Sequence, residues 1–161
     1  MRKLASSVIL GIDPGIADTG FGVIRQEAGR LTCLAYGSIK TAAKTPLPDR
    51  LNIINLELGK IISKYSPDLV AAEELFFCKN VKTALVVGQA RGVILLTARQ
   101  NNLEVKEYTP LEVKQAVSSY GKADKGQVQR MVKLLLNLKE IPKPDDAADA
   151  LAIAICAANS I

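Results

Sequence analysis

The chain has 161 residues and a formal charge of +5, enough to bury one good core and too short for two sizeable ones. We expect a single domain over residues 1–161, and large two-domain ATPases and kinases are excluded. The chain has no His, so zinc sites and catalytic triads that depend on His are also excluded. Its three cysteines form no CxxC pair, which predicts no disulfide framework and favours a reducing, cytoplasmic compartment.

The positive charge is concentrated in one part of the chain. Residues 79–143 carry twelve basic and five acidic side chains, whereas residues 144–161 carry three acids and no base. A basic surface next to a few acids suits a protein that binds a polyanion and acts on it with a metal. A solvated surface with a mild excess of Lys explains the same charges equally well.

The first part of the chain predicts three strands joined by short links. They cover Ser7 to Ile12, Thr19 to Arg25 and Leu31 to Lys40, with a hairpin loop at residues 27–30 between the second and third. The links are too short for crossovers, so these strands form an antiparallel meander. A fourth strand, Leu69 to Glu73, and a fifth, Val105 to Tyr108, follow later.

Five helices alternate with or follow these strands. The first is predicted to start near Pro46 and end before Ser66, the second to run from about Lys79 to Arg99, and the third from Pro110 to Val117. The fourth follows a loop over residues 121–126 and begins at an Asp124/Gln127 capping box, and the fifth runs from about Asp145 to Asn159. The fold class is therefore α/β: one mixed five-stranded sheet, its first three strands antiparallel, with helices on both faces.

The second helix contains the longest apolar stretch, Leu85 to Ala98. This stretch is shorter than a membrane span and contains Arg91, so we expect a buried helix and no membrane segment. Gly88 and Gly92 are four residues apart and lie on one helix face. They allow another backbone to approach closely, either that of the sheet or that of a second subunit.

Four acids are expected to meet at one end of the sheet. Asp13 and Glu73 end apolar strands, and Asp146 and Asp149 lie three residues apart in the last helix. Asp145 and Asp146 could simply cap that helix, but capping does not explain two carboxylates at strand ends, where unpaired buried charges are costly. A divalent metal explains all four, and oxygen ligands without His favour Mg²⁺ or Mn²⁺.

The sequence resembles the RuvC family of bacterial crossover junction endodeoxyribonucleases, which belong to the retroviral-integrase and ribonuclease-H-like nucleases. The motifs that carry the resemblance run in order along the chain: Ile12-Asp13-Pro14-Gly15 with Gly20-Phe21-Gly22-Val23-Ile24, then Ala72-Glu73-Glu74-Leu75-Phe76, then Gly88-Gln89-Ala90-Arg91-Gly92-Val93, and finally residues 146–154, DAADALAIA. The first motif alone also occurs in actin-like ATPases, but the four together are specific.

The resemblance implies a homodimer that cuts four-way DNA junctions symmetrically, with a branch-migration complex of the RuvA and RuvB type as partner. It assigns metal binding and catalysis, through two Mg²⁺ ions, to Asp13, Glu73, Asp146 and Asp149, and leaves 5′-phosphate and 3′-hydroxyl ends. Glu74 and Asp145 fall outside the matched acids, and Asp145 is expected to be a cap. Gln89, Arg91 and Gly92 are assigned to the dimer interface by resemblance alone.

Three further residues match positions that the family uses on DNA. Lys114 and Lys125 correspond to basic residues near the cleaved phosphate, and Phe76 to an aromatic placed against bases at the junction centre. Lys114 could equally be a solvated helix residue, and Phe76 an ordinary core residue. Lys125, in its loop between glycines, is the better candidate for a phosphate contact.

Three other functions share parts of this pattern. An ATPase of the same topology fits the first motif, but the chain lacks the length for a second lobe. A non-catalytic junction-binding module would retain the acids without cutting. A ribonuclease-H-like nuclease acting on RNA–DNA hybrids would share the metal chemistry, and only a comparison of substrates separates it from a junction nuclease.

Overall fold

The computed structural model describes residues 6–75 and 79–161. It contains one five-stranded sheet in the order β3-β2-β1-β4-β5, with the first three strands antiparallel and β4 and β5 parallel to β1. The predicted fold class is confirmed. The elements are β1 (Ser7–Asp13), β2 (Asp18–Glu27), β3 (Arg30–Lys40), α1 (Leu47–Tyr65), β4 (Leu69–Glu73), α2 (Val81–Gln100), β5 (Glu104–Tyr108), α3 (Pro110–Ser118), α4 (Lys125–Leu135) and α5 (Asp145–Ala158).

Alternation along the strands divides the core into two layers. Ile9 of β1 packs with α3, α4 and α5, whereas its neighbour Leu10 packs with α1 and α2 on the opposite face. In β4, Leu69 faces the α5 side and Val70 faces the α1 side. Because side chains alternate with a period of two, the last residues of β1 and β4, Asp13 and Glu73, face α5.

Helix α5 lies directly on the centre of the sheet. A Cβ atom on Gly11 would collide with the backbone of Ala150 and Ala154, and one on Gly20 would collide with the backbone of Asp146. Small residues on the sheet and an Ala-rich helix therefore let the two backbones approach more closely than side chains would permit. This contact fixes the first turn of α5 beside the end of β1.

The opposite layer is looser, and here one prediction was wrong. Helix α2 buries Ala90, Ile94, Thr97 and Ala98, but the side chain of Leu85 is 64 % exposed. The helix is therefore not buried. It pairs one face with the sheet and α1 and leaves the other open, with Val81, Leu85 and Leu96 exposed on the outer side.

By length and composition alone, the whole of α2, Val81–Gln100, is long and apolar enough to cross a membrane. Such criteria are also met by helices packed against a sheet. Here Ala90, Ile94 and Ala98 belong to the core, and the guanidinium of Arg91 pairs with Glu107 of β5. These contacts make α2 a packed surface helix of this fold.

The glycines of α2 do not meet another part of the described chain at close range. A Cβ on Gly92 would find nothing within 4 Å, and one on Gly88 would meet only Leu75, at 4.0 Å. Of the two alternatives drawn from the sequence, close approach to the sheet is therefore wrong. Contact with a second subunit stays a prediction.

Two local predictions near the start of α4 and α5 need correction. Lys125 is the first residue of α4, opened by the predicted Asp124/Gln127 capping box, and so lies on the helix rather than in the preceding loop. Asp145 does not cap α5, whose N-cap is Pro144 without a side-chain hydrogen bond. The Asp145 carboxylate turns instead toward α4.

Candidate active site

Two acids of the site lie at the ends of adjacent parallel strands. The β1–β4 register pairs Gly11 with Ala71 and Ile12 with Ala72, so Asp13 and Glu73 follow at neighbouring positions. Both side chains face α5 by the alternation described above. They share the wall of one cavity of about 180 Å³.

The other two acids come from the first turns of α5. Asp146 approaches Asp13 because Gly20, the β2 partner of Asp13, has no side chain to hold the α5 backbone away. One carboxylate oxygen from each of Asp13, Asp146 and Asp149 lies within 4.8 Å of the others. Glu73 stands outside this trio, and it lines a second cavity, of about 260 Å³, together with Asp149.

The electrostatics of the site show how closely the four acids interact. Burial, and then the charges of Asp149, Glu73 and Asp146, raise the pKa of Asp13 to about 8. Burial and the charge of Asp149 raise the pKa of Glu73. Burial also raises the pKa of Asp149, against the opposing effect of Lys125. Without a cation, these carboxylates cannot all ionise at neutral pH.

The donor set fits a hard divalent cation. Its side chains offer carboxylate oxygens from two strands and one helix, converging at a half-buried position, and a divalent ion would compensate their mutual repulsion. Mg²⁺ and Mn²⁺ prefer such oxygen ligands. Of the four acids expected to converge, the structure clusters Asp13, Asp146 and Asp149, and Glu73 lies beside them in the adjoining cavities. Their role in binding metal stays a prediction.

Two lysines adjoin the acids, as the sequence analysis anticipated. The Nζ atom of Lys125 lies 3.4 Å from Oδ2 of Asp149 and 3.5 Å from Oδ2 of Asp145. Partial burial lowers the pKa of Lys125, but these two carboxylates raise it more. Lys114 lines the same cavity as Glu73 and Asp149, and its charge opposes the rise in the pKa of Glu73.

Other residues singled out from the sequence have different outcomes. Phe76 lies outside the described residues, so its predicted role on DNA stays a prediction. Gln89 and Gly92 are on the exposed side of α2, consistent with an interface. Arg91 is half-buried and paired with Glu107, so it joins α2 to the edge of its own sheet.

Sequence reasoning missed how the site is held together. The glycines of β1 and β2 were noted only as part of a motif, although Gly20 and Gly22 are two residues apart and so share one face. Gly11 pairs with Gly22 across the two strands. This alternation, combined with a final helix rich in Ala, was the available signal for close packing of a helix on a sheet.

The fold and the site together define a class of protein. A mixed sheet in this strand order, with carboxylates at the ends of its two central strands and on a helix packed across them, is the arrangement of the ribonuclease-H-like nucleases.

Comparisons with known proteins give the family. The model of the family described as crossover junction endodeoxyribonuclease RuvC matches residues 9–157. A protein of that name from Halothermothrix orenii is 60 % identical over 153 residues, which cover 95 % of this chain and 93 % of the relative. One from Alkaliphilus oremlandii is 58 % identical with the same coverage. The chain therefore belongs to the RuvC family of crossover junction endodeoxyribonucleases.

A solved structure supports the same assignment. Thermus thermophilus RuvC in complex with a Holliday junction substrate has a TM-score of 0.90 and 38 % identity, over 94 % of this chain and 93 % of that one. The yeast mitochondrial Holliday junction resolvase Ydc2 has a TM-score of 0.65 at 17 % identity, over 92 % of this chain and 77 % of that one, and so shares the fold alone.

Proposed function

We propose that this protein resolves four-way DNA junctions by symmetric, metal-assisted hydrolysis of two phosphodiester bonds, in recombination and repair. The observation that carries the proposal is the convergence of Asp13, Asp146 and Asp149 beside Glu73, in a chain that belongs to a family of junction endonucleases. A cytoplasmic location follows from that substrate.

In this proposal, Asp13, Glu73, Asp146 and Asp149 hold two Mg²⁺ ions, which Mn²⁺ can replace. When bound there, these ions would supply an activated water and would stabilise charge on the phosphate and on the leaving oxygen. The water oxygen forms a bond to phosphorus as the bond to the 3′-oxygen breaks, leaving a 5′-phosphate and a 3′-hydroxyl. The protein's part is to fix the carboxylates before substrate arrives, through the packing of α5 on β1 and β2.

The basic residues bind the DNA backbone. Lys114 and Lys125 line the same cavity as Glu73 and Asp149, which supports contacts between their ammonium groups and phosphates next to the acids. Once two divalent ions neutralise four carboxylates, twelve acids remain against twenty-one bases. The binding of junction DNA should therefore weaken steeply as the salt concentration rises.

The proposal includes a homodimer formed through α2. Val81, Leu85 and Leu96 are 71 %, 64 % and 57 % exposed, and with Gly88 and Gly92 they follow one helix face. An apolar face with two glycines suits close packing against the same face of a second copy. Two active sites related by a two-fold axis would match paired cuts in a junction. Sedimentation as a monomer at micromolar concentration would contradict this arrangement.

Binding partners of the RuvA and RuvB type, which move the junction, belong to the proposal by family membership alone. A pull-down of this protein with those two proteins on a four-way junction tests them.

The deciding experiment is cleavage of a mobile four-way junction with Mg²⁺ and with chelator, beside duplex DNA and an RNA–DNA hybrid. We expect metal-dependent, symmetric nicks in the junction alone. Asp13→Asn should lower the cleavage rate by about a thousandfold or more while junction binding is retained, because it removes a ligand without altering the DNA surface.

Adjacent acids provide a matched control. Glu73→Gln should abolish cutting, whereas Glu74→Gln, an exposed neighbour, should leave it unchanged. Binding without cutting by the unaltered protein would favour the non-catalytic module. Preferential cutting of the hybrid would keep the metal site and change the substrate. Full activity of Asp13→Asn would refute the assigned site.

A further inference from the structure

Asp145 lies beside the acidic cluster and is not part of it. As the first residue of α5 it makes no capping hydrogen bond. Its two oxygens instead contact α4: Oδ2 lies 3.5 Å from Nζ of Lys125, and Oδ1 accepts a hydrogen bond of 3.2 Å from Nε2 of Gln129. Lys125 and Gln129 are four residues apart on α4, so Asp145 contacts a single face of that helix.

The contact between Asp145 and Lys125 matters because Lys125 also contacts the acidic cluster. Its ammonium lies between Asp145 and Asp149, at 3.5 Å and 3.4 Å. Asp149 also belongs to the trio of converging carboxylates. A cation bound there would coordinate Asp149 and offset its negative charge, so Lys125 would be attracted less strongly by one of its two partners.

We propose that Asp145 is a positioning residue that keeps Lys125 at the rim of the acidic cluster while Asp149 is engaged by metal. With Asp145 present, the ammonium has an anchor that does not compete with the metal, and it stays directed at the cavity that it shares with Glu73 and Lys114. Without that anchor, Lys125 pairs with Asp149 alone and competes with the incoming cation. This inference rests on the proposed function of the cluster as a nuclease site.

Gln129 and Lys143 make the anchor more than a single ion pair. Gln129 fixes the orientation of the Asp145 carboxylate through the oxygen that does not face Lys125. Lys143 lies 3.9 Å from that same oxygen, on the segment that leads into α5. A carboxylate with several partners loses little additional freedom when it holds Lys125.

The test is a double-mutant cycle with metal binding as its main readout. Mn²⁺ is titrated by calorimetry, without DNA, into the unaltered protein, Asp145→Asn, Lys125→Met and the double variant. We expect Asp145→Asn to weaken Mn²⁺ binding about threefold to tenfold, and Lys125→Met to strengthen it. In the Lys125→Met background, Asp145→Asn should have no further effect, because it acts through the ammonium.

Cleavage and charge controls complete the design. Junction cleavage at saturating Mn²⁺ should fall about fivefold in Asp145→Asn, recover in Asp145→Glu, and stay unchanged in Glu140→Gln, an exposed acid whose loss changes net charge equally. Melting temperatures identify any variant that fails to fold.

The proposal is overturned if Asp145→Asn leaves Mn²⁺ binding unchanged, or weakens it equally with and without Lys125. If the unaltered protein cuts no junction, the proposed function fails, while the Mn²⁺ cycle still decides whether Asp145 positions Lys125.

Discussion

The two helical layers of this protein differ in how they meet the sheet. On one side, α5 touches strand backbones at Gly11 and Gly20 and buries nearly all of its length. On the other side, α2 buries one narrow face and leaves Gly92 in open space. The rigid layer carries the cluster of acids, and the open layer leaves an apolar surface exposed. Close backbone packing thus fixes the positions of the acids, and looser packing leaves room for the dimer contact proposed above.

The largest expected effects come from substitutions of the glycines under α5. In Gly11→Ala, the new Cβ would overlap the backbone of Ala150 and Ala154, and a helix held at many points cannot move aside easily. We expect a loss of about 3 kcal/mol in the free energy of unfolding, measured by urea denaturation. In Gly20→Ala, where the obstacle is the backbone of Asp146, junction cleavage should also fall by at least about tenfold, since ligand spacing controls the metal chemistry.

Gly59→Ala is the control for both substitutions. Gly59 lies in α1, and a Cβ there would meet nothing within 4 Å. Ala is the better helix former, so we expect a gain of about 0.5–1 kcal/mol. A Gly11→Ala protein as stable as the unaltered one would show that α5 is not fixed by backbone contact.

A second, smaller effect concerns the raised pKa of Asp13, which lies beside α5. The pKa of Asp13 is raised from 3.8 to about 8 in the folded state, so the folded chain binds the proton more tightly than the unfolded chain. The resulting stability is fully present below about pH 4 and is lost as the pH rises through 8. Asp13→Asn removes this dependence.

In metal-free buffer, Asp13→Asn should therefore gain stability over the unaltered protein between pH 5 and pH 9. A shift of about four pKa units is worth up to ~6 kcal/mol, and sharing of protons among the coupled acids reduces the expected difference to about 2 kcal/mol. Urea denaturation at pH 5, 7 and 9 measures it. Mg²⁺ should shrink the difference, Glu74→Gln should show none, and a constant difference at every pH would count against the buried, charged cluster.

The smallest expected effect concerns the exposed face of α2. Gly92→Ala and Gly59→Ala both add a methyl group to a helix where the monomer leaves room, so both should stabilise the chain by about 0.5–1 kcal/mol. Only Gly92 lies on the proposed dimer face. We expect Gly92→Ala to weaken dimerisation about threefold to tenfold by sedimentation, and Gly59→Ala to leave it unchanged. Equal dimer affinities would place the interface elsewhere.

Much of this organisation could be predicted from the sequence. Apolar runs, strand-forming residues and turn residues located all five strands, and β4 was predicted with its observed bounds, Leu69–Glu73. The Asp124/Gln127 capping box also formed as predicted. These features depend on residues close in sequence. The burial of α2 was predicted wrongly, because an apolar run does not say which of its sides meets the rest of the chain.

Asp145 shows the same limit at the site. An acid at a helix start is typical of a cap, and local reasoning assigned it that role. The structure turns its carboxylate toward Lys125 and Gln129 of α4, a helix that begins twenty residues earlier in the chain. No local pattern contains that contact.

The sequence by itself determined the class of fold, the four acids and the chemistry that oxygen ligands without His can support, because residue type and short-range periodicity carry that information. Only the tertiary structure decided how close the acids come, which side of α2 stays open and what Asp145 holds. The spacing of the acids depends on how α5 packs over Gly11 and Gly20, segments more than a hundred residues apart in the chain. The other two outcomes likewise depend on contacts that only the packed chain creates.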